Sequence, residues 1–389
     1  MYSKRFIILI PILFLSFNSF SQKKENIIDV ASHSLAIYNK GDWNNLIKYG
    51  IEKIDEGIDF PILRMRIGYA YFKQENFAQS LTHYKKSLEL EPLNETAQYY
   101  IYLNHLYLNQ VTEARYYASK MSPAVRKNLN IKEVNISEIQ TEFSFKMPDD
   151  ISREDALYAR VGFNMNLGYR LELEQSIAMY NQIINEPKFS TVTNNNKIDI
   201  QQKEYYGKIK YSISNNLALI AGIHYLNTPF NNFSYNNLFY FGGLSYSTPY
   251  VTIKYLSNLG SNRDSNYYQQ DLSFKLQPLG NSKLYTISKF SYNKKIIFTQ
   301  VVGVGISKKL WLESNVTLGK YDNLIDQDGL YIYNDVDTKK FKIGASIYTS
   351  LTKNLSLSLN YNFEQKIKYK TTNNNFNQYS ITGGLSWKF

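Results

Sequence analysis

The chain has 389 residues, with 44 Lys and Arg against 33 Asp and Glu, a formal charge of +11, and no cysteine. Disulfides, thiolate metal sites and a lipidated N-terminal cysteine are therefore excluded. The basic residues are scattered between Asn and Tyr rather than clustered, which argues against nucleic acid as a partner.

Lys4 and Arg5 precede an apolar run from Phe6 to Leu15, followed by small residues at Ser19 and Ser21. A basic start, an apolar core too short to span a bilayer and a small-residue exit predict a secretory signal over residues 1–21. Beyond Ser21 no run reaches the roughly 18 apolar residues of a transmembrane helix. If the exported chain spans a membrane, it must do so as a closed barrel. A mean hydropathy of -0.39 suits that, because half of each barrel strand is polar. The counts of 35 Tyr and 22 Phe suit aromatic girdles at two interfaces.

Residues 22–133 read as helix, with a recurrence of 34 residues. In the unit Pro61 to Pro92, Gly68 is small where two helices approach and Tyr71 packs in the first helix. Ser80, Tyr84 and Ser87 line the second, and Pro92 ends the unit because proline cannot continue a helix. Trp43 in Gly41-Asp-Trp43 lies 34 residues before Phe77 in Glu75-Asn-Phe77, and Ala114 lies 34 after Ser80. The flanking units are degenerate, with Ser34 and Tyr102 at the place of Gly68. This unit resembles a tetratricopeptide repeat. The resemblance implies a short solenoid of helical hairpins whose concave face takes a protein partner.

From residue 134 the period switches to 2, as in a strand with one apolar and one polar face. Leu157 to Tyr169 and Leu355 to Phe363 are the most regular segments. Tight turns at Ser214–Asn216, Ser247–Pro249, Ser307–Lys309 and Thr352–Asn354 alternate with longer polar stretches. Those stretches are Asn185–Gln202, Asn227–Tyr235, Tyr321–Thr338 and Lys368–Asn375, with Asn293–Lys295 as one short exception. They are expected to be outer loops open to protease. The count predicts an antiparallel up-and-down barrel of about fourteen strands over residues 134–389, so the fold class is α plus transmembrane β.

At the C-terminus Tyr379, Ile381, Gly383, Leu385, Trp387 and Phe389 share one face. This resembles the closing strand of a bacterial outer-membrane barrel. The resemblance implies that Leu385, Trp387 and Phe389 are read by the barrel assembly machinery.

Alternation places Arg160, Arg170, Lys208, Lys210, His224, Lys254, Asp271, Lys275, Glu313, Lys342 and Lys388 toward the lumen. Two readings stay open: a basic, water-filled pore selecting anionic or polar solutes, or an interior filled by mutual ion pairs. A hydrolase would need a serine and an orienting group beside His224, and no motif marks one. No histidine–carboxylate spacing suggests a metal, and no cofactor is expected. Gly303-Val-Gly305 sits within a strand and leaves room for a neighbouring side chain, not a nucleotide.

Helical repeats ahead of an outer-membrane barrel resemble the layout of bacterial exopolysaccharide exporters and of YaiO-like barrel proteins. The resemblance implies a barrel in outer-membrane lipid with its N-terminal domain in the periplasm. It would pass a polar solute or polysaccharide while the repeats recruit a periplasmic protein. The rival is a non-conducting anchor or assembly scaffold for the repeats.

Overall fold

The computed structural model describes residues 26–185, 197–230, 233–262, 265–369, 371 and 374–389; residues 1–21, read above as a secretory signal, lie outside them. Helices come first: α1 (Ile27–Lys40), α2 (Trp43–Asp55), α3 (Pro61–Lys73), α4 (Phe77–Leu90), α5 (Glu95–Tyr107), α6 (Val111–Ala118) and α7 (Pro123–Asn128). Among the described residues none is long and apolar enough to cross a membrane.

The first six helices pair as hairpins, and α1, α3 and α5 start 34 residues apart, as do α2, α4 and α6. The period shows in the backbone as well. The left-handed residues between paired helices are Gly41, Glu75 and Asn109, again 34 apart. Asn26, Asp42, Asn76 and Asn94 cap helices by accepting a backbone N–H on a side-chain oxygen. Gln110 holds the corresponding place before α6 but makes no cap; its side chain is used elsewhere.

Packing explains the small residue at Gly68. A Cβ there would lie 2.9 Å from the Tyr84 ring, which is fully buried and stacked on Tyr100 at 4.8 Å. Ser80 is buried and accepts a hydrogen bond from Asn104 Nδ2 at 2.9 Å, so it is a polar link between hairpins as well as a small residue. Tyr71 stacks on His83, Phe77 on Tyr107, and Trp43 packs edge-on against Tyr69. Pro92 lies in the exposed turn after α4.

Fourteen strands follow among the described residues: β1 (Val134–Pro148), β2 (Ala156–Leu167), β3 (Leu171–Asn185), β4 (Lys197–Ser212), β5 (Leu217–Phe230), β6 (Phe233–Ser247) and β7 (Val251–Asn262), then β8 (Ser265–Leu276), β9 (Leu284–Asn293), β10 (Lys295–Gly305), β11 (Leu310–Asp326), β12 (Tyr331–Ser350), β13 (Leu355–Ile367) and β14 (Asn375–Lys388). Each pairs antiparallel with its neighbours, and β1 closes on β14 from Glu138↔Lys388 to Pro148↔Gln378. Every tight turn named from the sequence joins two strands at the end where the helices sit.

Two of the stretches read as loops are mostly strand. Asn227–Tyr235 is the top of the β5–β6 ladder, which pairs through to Phe230↔Phe233. Tyr321–Thr338 continues β11 and β12 past the wall and closes over Gln327–Leu330. The first is rich in Asn and the second in Asp, compositions that suit either a loop or a polar strand. Most of the Asn185–Gln202 stretch lies outside the described residues.

The helical domain is docked on the barrel turns. Ala78 N–H donates to Gly280 O at 3.0 Å, Gln277 Nε2 to Leu108 O at 3.1 Å, and Asn281 Nδ2 to Glu75 O at 3.0 Å. Arg115 reaches Gly168 O at 2.6 Å, and Gln110 Nε2 reaches Thr248 O at 2.7 Å. The carbonyl end of that Gln110 amide faces His105 Nδ1 at 2.8 Å, so one side chain ties α5 to the β6–β7 turn.

Gly68→Ala should cost about 1–3 kcal/mol by overpacking against Tyr84. Hydrogen exchange of peptides from α3 to α5 should report it, while the barrel strands stay protected.

Burial holds His83 down at about 4, with Arg64 adding to the effect, and His105 at about 3, with Lys85 adding to it. Unfolded histidine titrates near 6.5, so below that pH the unfolded chain binds more protons and the helices lose stability as pH falls. Each histidine should remove roughly 2–3 kcal/mol by about pH 4.5. Hydrogen exchange at stepped pH should show the helices opening while β1–β14 remain closed.

Candidate functional site

The wall is inverted relative to a soluble protein. Outward positions such as Val161, Ile177, Leu244, Leu259, Leu359 and Ile381 are exposed, while Asn237, Asn258, Gln269 and Ser291 are fully buried inside. A closed antiparallel barrel with an apolar exterior and a polar interior is the outer-membrane type of transmembrane fold. Leu385 and Trp387 lie exposed on that outer face of β14, and Phe389, just past its end, is exposed as well.

The lumen is not empty. At Gly319, with φ 124°, and at bulges beside Tyr321 and Lys339, the β11–β12 hairpin departs from the wall. Residues between Tyr321 and Thr338 then fold into the barrel, and Thr338 rejoins the wall opposite Ile367. Gln327, Asp328 and Gly329 are all left-handed, which makes the tip tight.

Carboxylates and backbone hold this hairpin to the wall. Asp337 takes a paired contact from Arg153 Nε and Nη2 at 2.9 and 2.7 Å. Asp335 meets Lys339 at 2.7 Å and Lys366 at 3.6 Å, and Asp326 meets Lys289 at 2.5 Å. Asp328 meets Lys254 at 2.6 Å and Lys208 at 3.9 Å. Tyr331 donates to Glu142 at 2.5 Å. Gln269 exchanges two hydrogen bonds with the backbone of Ile325, at 2.7 and 3.0 Å, as a strand partner would.

Apolar groups complete the seat. Ile325 packs with Leu226, Phe239 and Tyr267; Leu330 packs with Tyr206, Ile220, Phe241 and Leu256. At the tip, wall and hairpin are layered. Phe241 lies where a Cβ on Gly222 would be, 2.2 Å from its ring, and a Cβ on Gly329 would meet the same ring at 2.4 Å. His224 Nδ1–H donates to Gly329 O at 2.7 Å, and its Nε2 faces Glu204 at 3.3 Å. Lys208 stands four residues from the end of β4 and Lys254 three from the start of β7. At about 3.3 Å per residue, the tip therefore reaches within roughly 10–13 Å of the helical end, measured along the strands.

The sequence-derived lumen residues divide by role. Lys208, Lys254 and His224 bind the hairpin tip, and Lys342, on β12 itself, donates to Tyr333 at 3.0 Å. Arg160 pairs with Glu142, Asp271 accepts from Asn258 and Gln269, and Glu313 accepts from Tyr285. Lys275 lies over the Tyr285 ring, and Lys210 is on the lumen face beside Glu172 of β3. Arg170 departs from its expected place: it stacks over Tyr116 of α6, in the interface with the helices. Lys388 is exposed at the rim, because β14 ends there. The Tyr285 ring fills the space left by Gly303. Alternation could not find Asp326, Asp328, Asp335 and Asp337, which sit in a segment that the wall register does not govern.

His224 has a carbonyl, a carboxylate and the Tyr206 ring as neighbours, and its hydrogen bond goes to backbone rather than to a serine. Among the described residues no group of His, Asp and Glu is arranged to hold a metal.

No family model and no curated protein sequence matches the chain. Among solved structures, it is similar to the CymD monoaromatic hydrocarbon channel at 6% identity, over 70% of this chain and 93% of that one, with a TM-score of 0.46. A Pseudomonas aeruginosa FadL homologue aligns at 10% identity over 70% and 94%, with a TM-score of 0.44. The P. putida toluene transporter TodX aligns at 8% identity over 69% and 92%, also at 0.44. What they share with this chain is a barrel. Their solutes belong to them.

Gly329→Ala adds a methyl against Phe241 at a left-handed position. The strain should raise the opened fraction of the hairpin about tenfold or more. Chymotrypsin cleavage at Leu330–Tyr333, followed by mass spectrometry, should accelerate in proportion, while the parent chain resists.

Proposed function

We propose that the chain is a gated outer-membrane channel, closed at rest by its own β11–β12 hairpin. The observation that carries this reading is the mode of attachment. The hairpin is a continuous excursion from the wall with two ends at one rim, and Asp322–Asp337 can leave while Thr338↔Ile367 and Lys339↔Lys366 keep β12 on β13. Leu318↔Phe341 still closes the wall behind it.

With the hairpin withdrawn, Lys254 and Lys289 of the wall lose Asp328 and Asp326, while Lys208 and Lys366 keep Glu174 and Glu364. Such a lumen favours a polar or anionic solute over a cation. The helical hairpins would lie in the periplasm, cleaved of the signal at Ser21. Their period and Gly68–Tyr84 packing support a tetratricopeptide-like domain that recruits a periplasmic protein. Residues 22–133 and 134–389 then divide as recruiting domain and pore, and polysaccharide remains one class of polar cargo. The rival, an anchor that conducts nothing, is favoured by the docking of Arg115, Gln110 and Ala78 on the barrel turns, which covers the other mouth.

Planar-bilayer recording separates the two. The full chain should be silent or flicker briefly, and replacement of Asp322–Thr338 by a two-residue turn should give steady, anion-preferring conductance. A silent shortened barrel that retains its heat-resistant fold would leave only the anchor.

A further inference from the structure

We propose that the hairpin tip sits in a ligand subsite of the barrel wall, and that this subsite takes an amphipathic carboxylate. Lys254 and Lys208 would hold the carboxylate head, and the recess between Tyr206, Phe241 and Leu256 its apolar body. The inference deepens the channel reading and rests on the hairpin being displaceable.

The tip is the template. Both carboxylate oxygens of Asp328 lie on Lys254 Nζ, at 2.6 and 2.7 Å. Lys208, the second cation, is already held by Glu174 at 2.6 Å, so departure of Asp328 strands Lys254 rather than Lys208. A cation left in a largely enclosed lumen without its partner is costly, and an incoming carboxylate relieves that cost.

Two residues on, Leu330 enters the apolar recess. Its walls belong to the barrel: Phe241 lies over Gly222 and parallel to Tyr206, at 5.9 Å and 11°. Ile220 and Leu256 close the sides. These are lumen-facing positions where a conduit for purely polar solutes would carry polar side chains. Burying an apolar body there gains about 25 cal/mol per Å². Because Asp328 and Leu330 belong to one tight turn, the anionic and apolar subsites adjoin, and a single small molecule can fill both.

Hexanoate, hexan-1-ol and acetate present head and body together, body alone and head alone. Their binding to the hairpin-shortened chain in nanodiscs should be measured by ligand-observed NMR. Hexanoate should bind at least about tenfold more tightly than either fragment, and Lys254→Gln should reduce it to the level of the alcohol. In the full chain the tethered Asp328 competes, so affinity should fall about tenfold and recover in Asp328→Asn. Equal binding of the three probes, or indifference to Lys254→Gln, overturns the subsite. Should the shortened chain misfold, the full-chain Asp328→Asn comparison decides, and no gain in hexanoate affinity overturns the proposal. Conductance is read separately. Binding without conductance removes the channel and keeps the subsite; conductance without selective binding does the reverse.

Discussion

A strand facing hydrocarbon cannot leave its backbone N–H and C=O groups without partners, and this single requirement organises the molecule. It is met by the seam between β1 and β14, which pairs from Glu138↔Lys388 to Pro148↔Gln378. Once that seam closes, no edge remains, every strand must alternate, and the interior becomes a compartment of set width. The seam also returns the last strand to the end where β1 begins, beside the helices. Seal, alternation and domain placement thus share one cause.

Inside the compartment the governing quantity is the exchange of charge partners. The wall presents lysines and the β1–β2 connection presents Arg153, and the hairpin brings Asp326, Asp328, Asp335 and Asp337 to meet them. Neither set would be stable enclosed without the other, since an isolated charge in a low-dielectric interior is strongly penalised. The pairing is nonetheless replaceable, because an ion pair is defined by charge and reach, and another anion can satisfy the same lysine. Apolar contacts at Ile325 and Leu330 give the hairpin its register, and the Gly329–Phe241 contact limits what can sit at the tip. Polar pairing and apolar seating act on one short turn.

The helices meet the barrel through polar links from turn to turn: Gln110 to Thr248, Arg115 to Gly168, Asn281 to Glu75. Gln110 illustrates how a repeat is adapted. Its counterparts Asp42 and Asn76 cap helices, whereas Gln110 gives up capping and spans from His105 to the wall. At Gln110 a departure from the repeat serves the docked surface, while Glu75 and Ala78 of the most regular unit dock without one.

Much of this was legible in the chain of residues. Alternation through Leu157–Tyr169 and Leu355–Phe363 marks lipid-facing strands, because a strand's two faces meet two solvents. The 34-residue recurrence around Gly68 and Tyr84 marks helical hairpins, because each must leave room for the next. Local period determines both. It could not determine where Tyr321–Thr338 goes, since the same Asp, Asn and Tyr suit a loop in water or a hairpin among lysines. Nor could it place Arg170, whose position in a turn frees it from the wall's alternation and lets it stack on Tyr116. Period is a property of neighbours along the chain, whereas the occupancy of the lumen depends on residues more than a hundred positions apart, such as Lys208 and Asp328, meeting only after the barrel has closed.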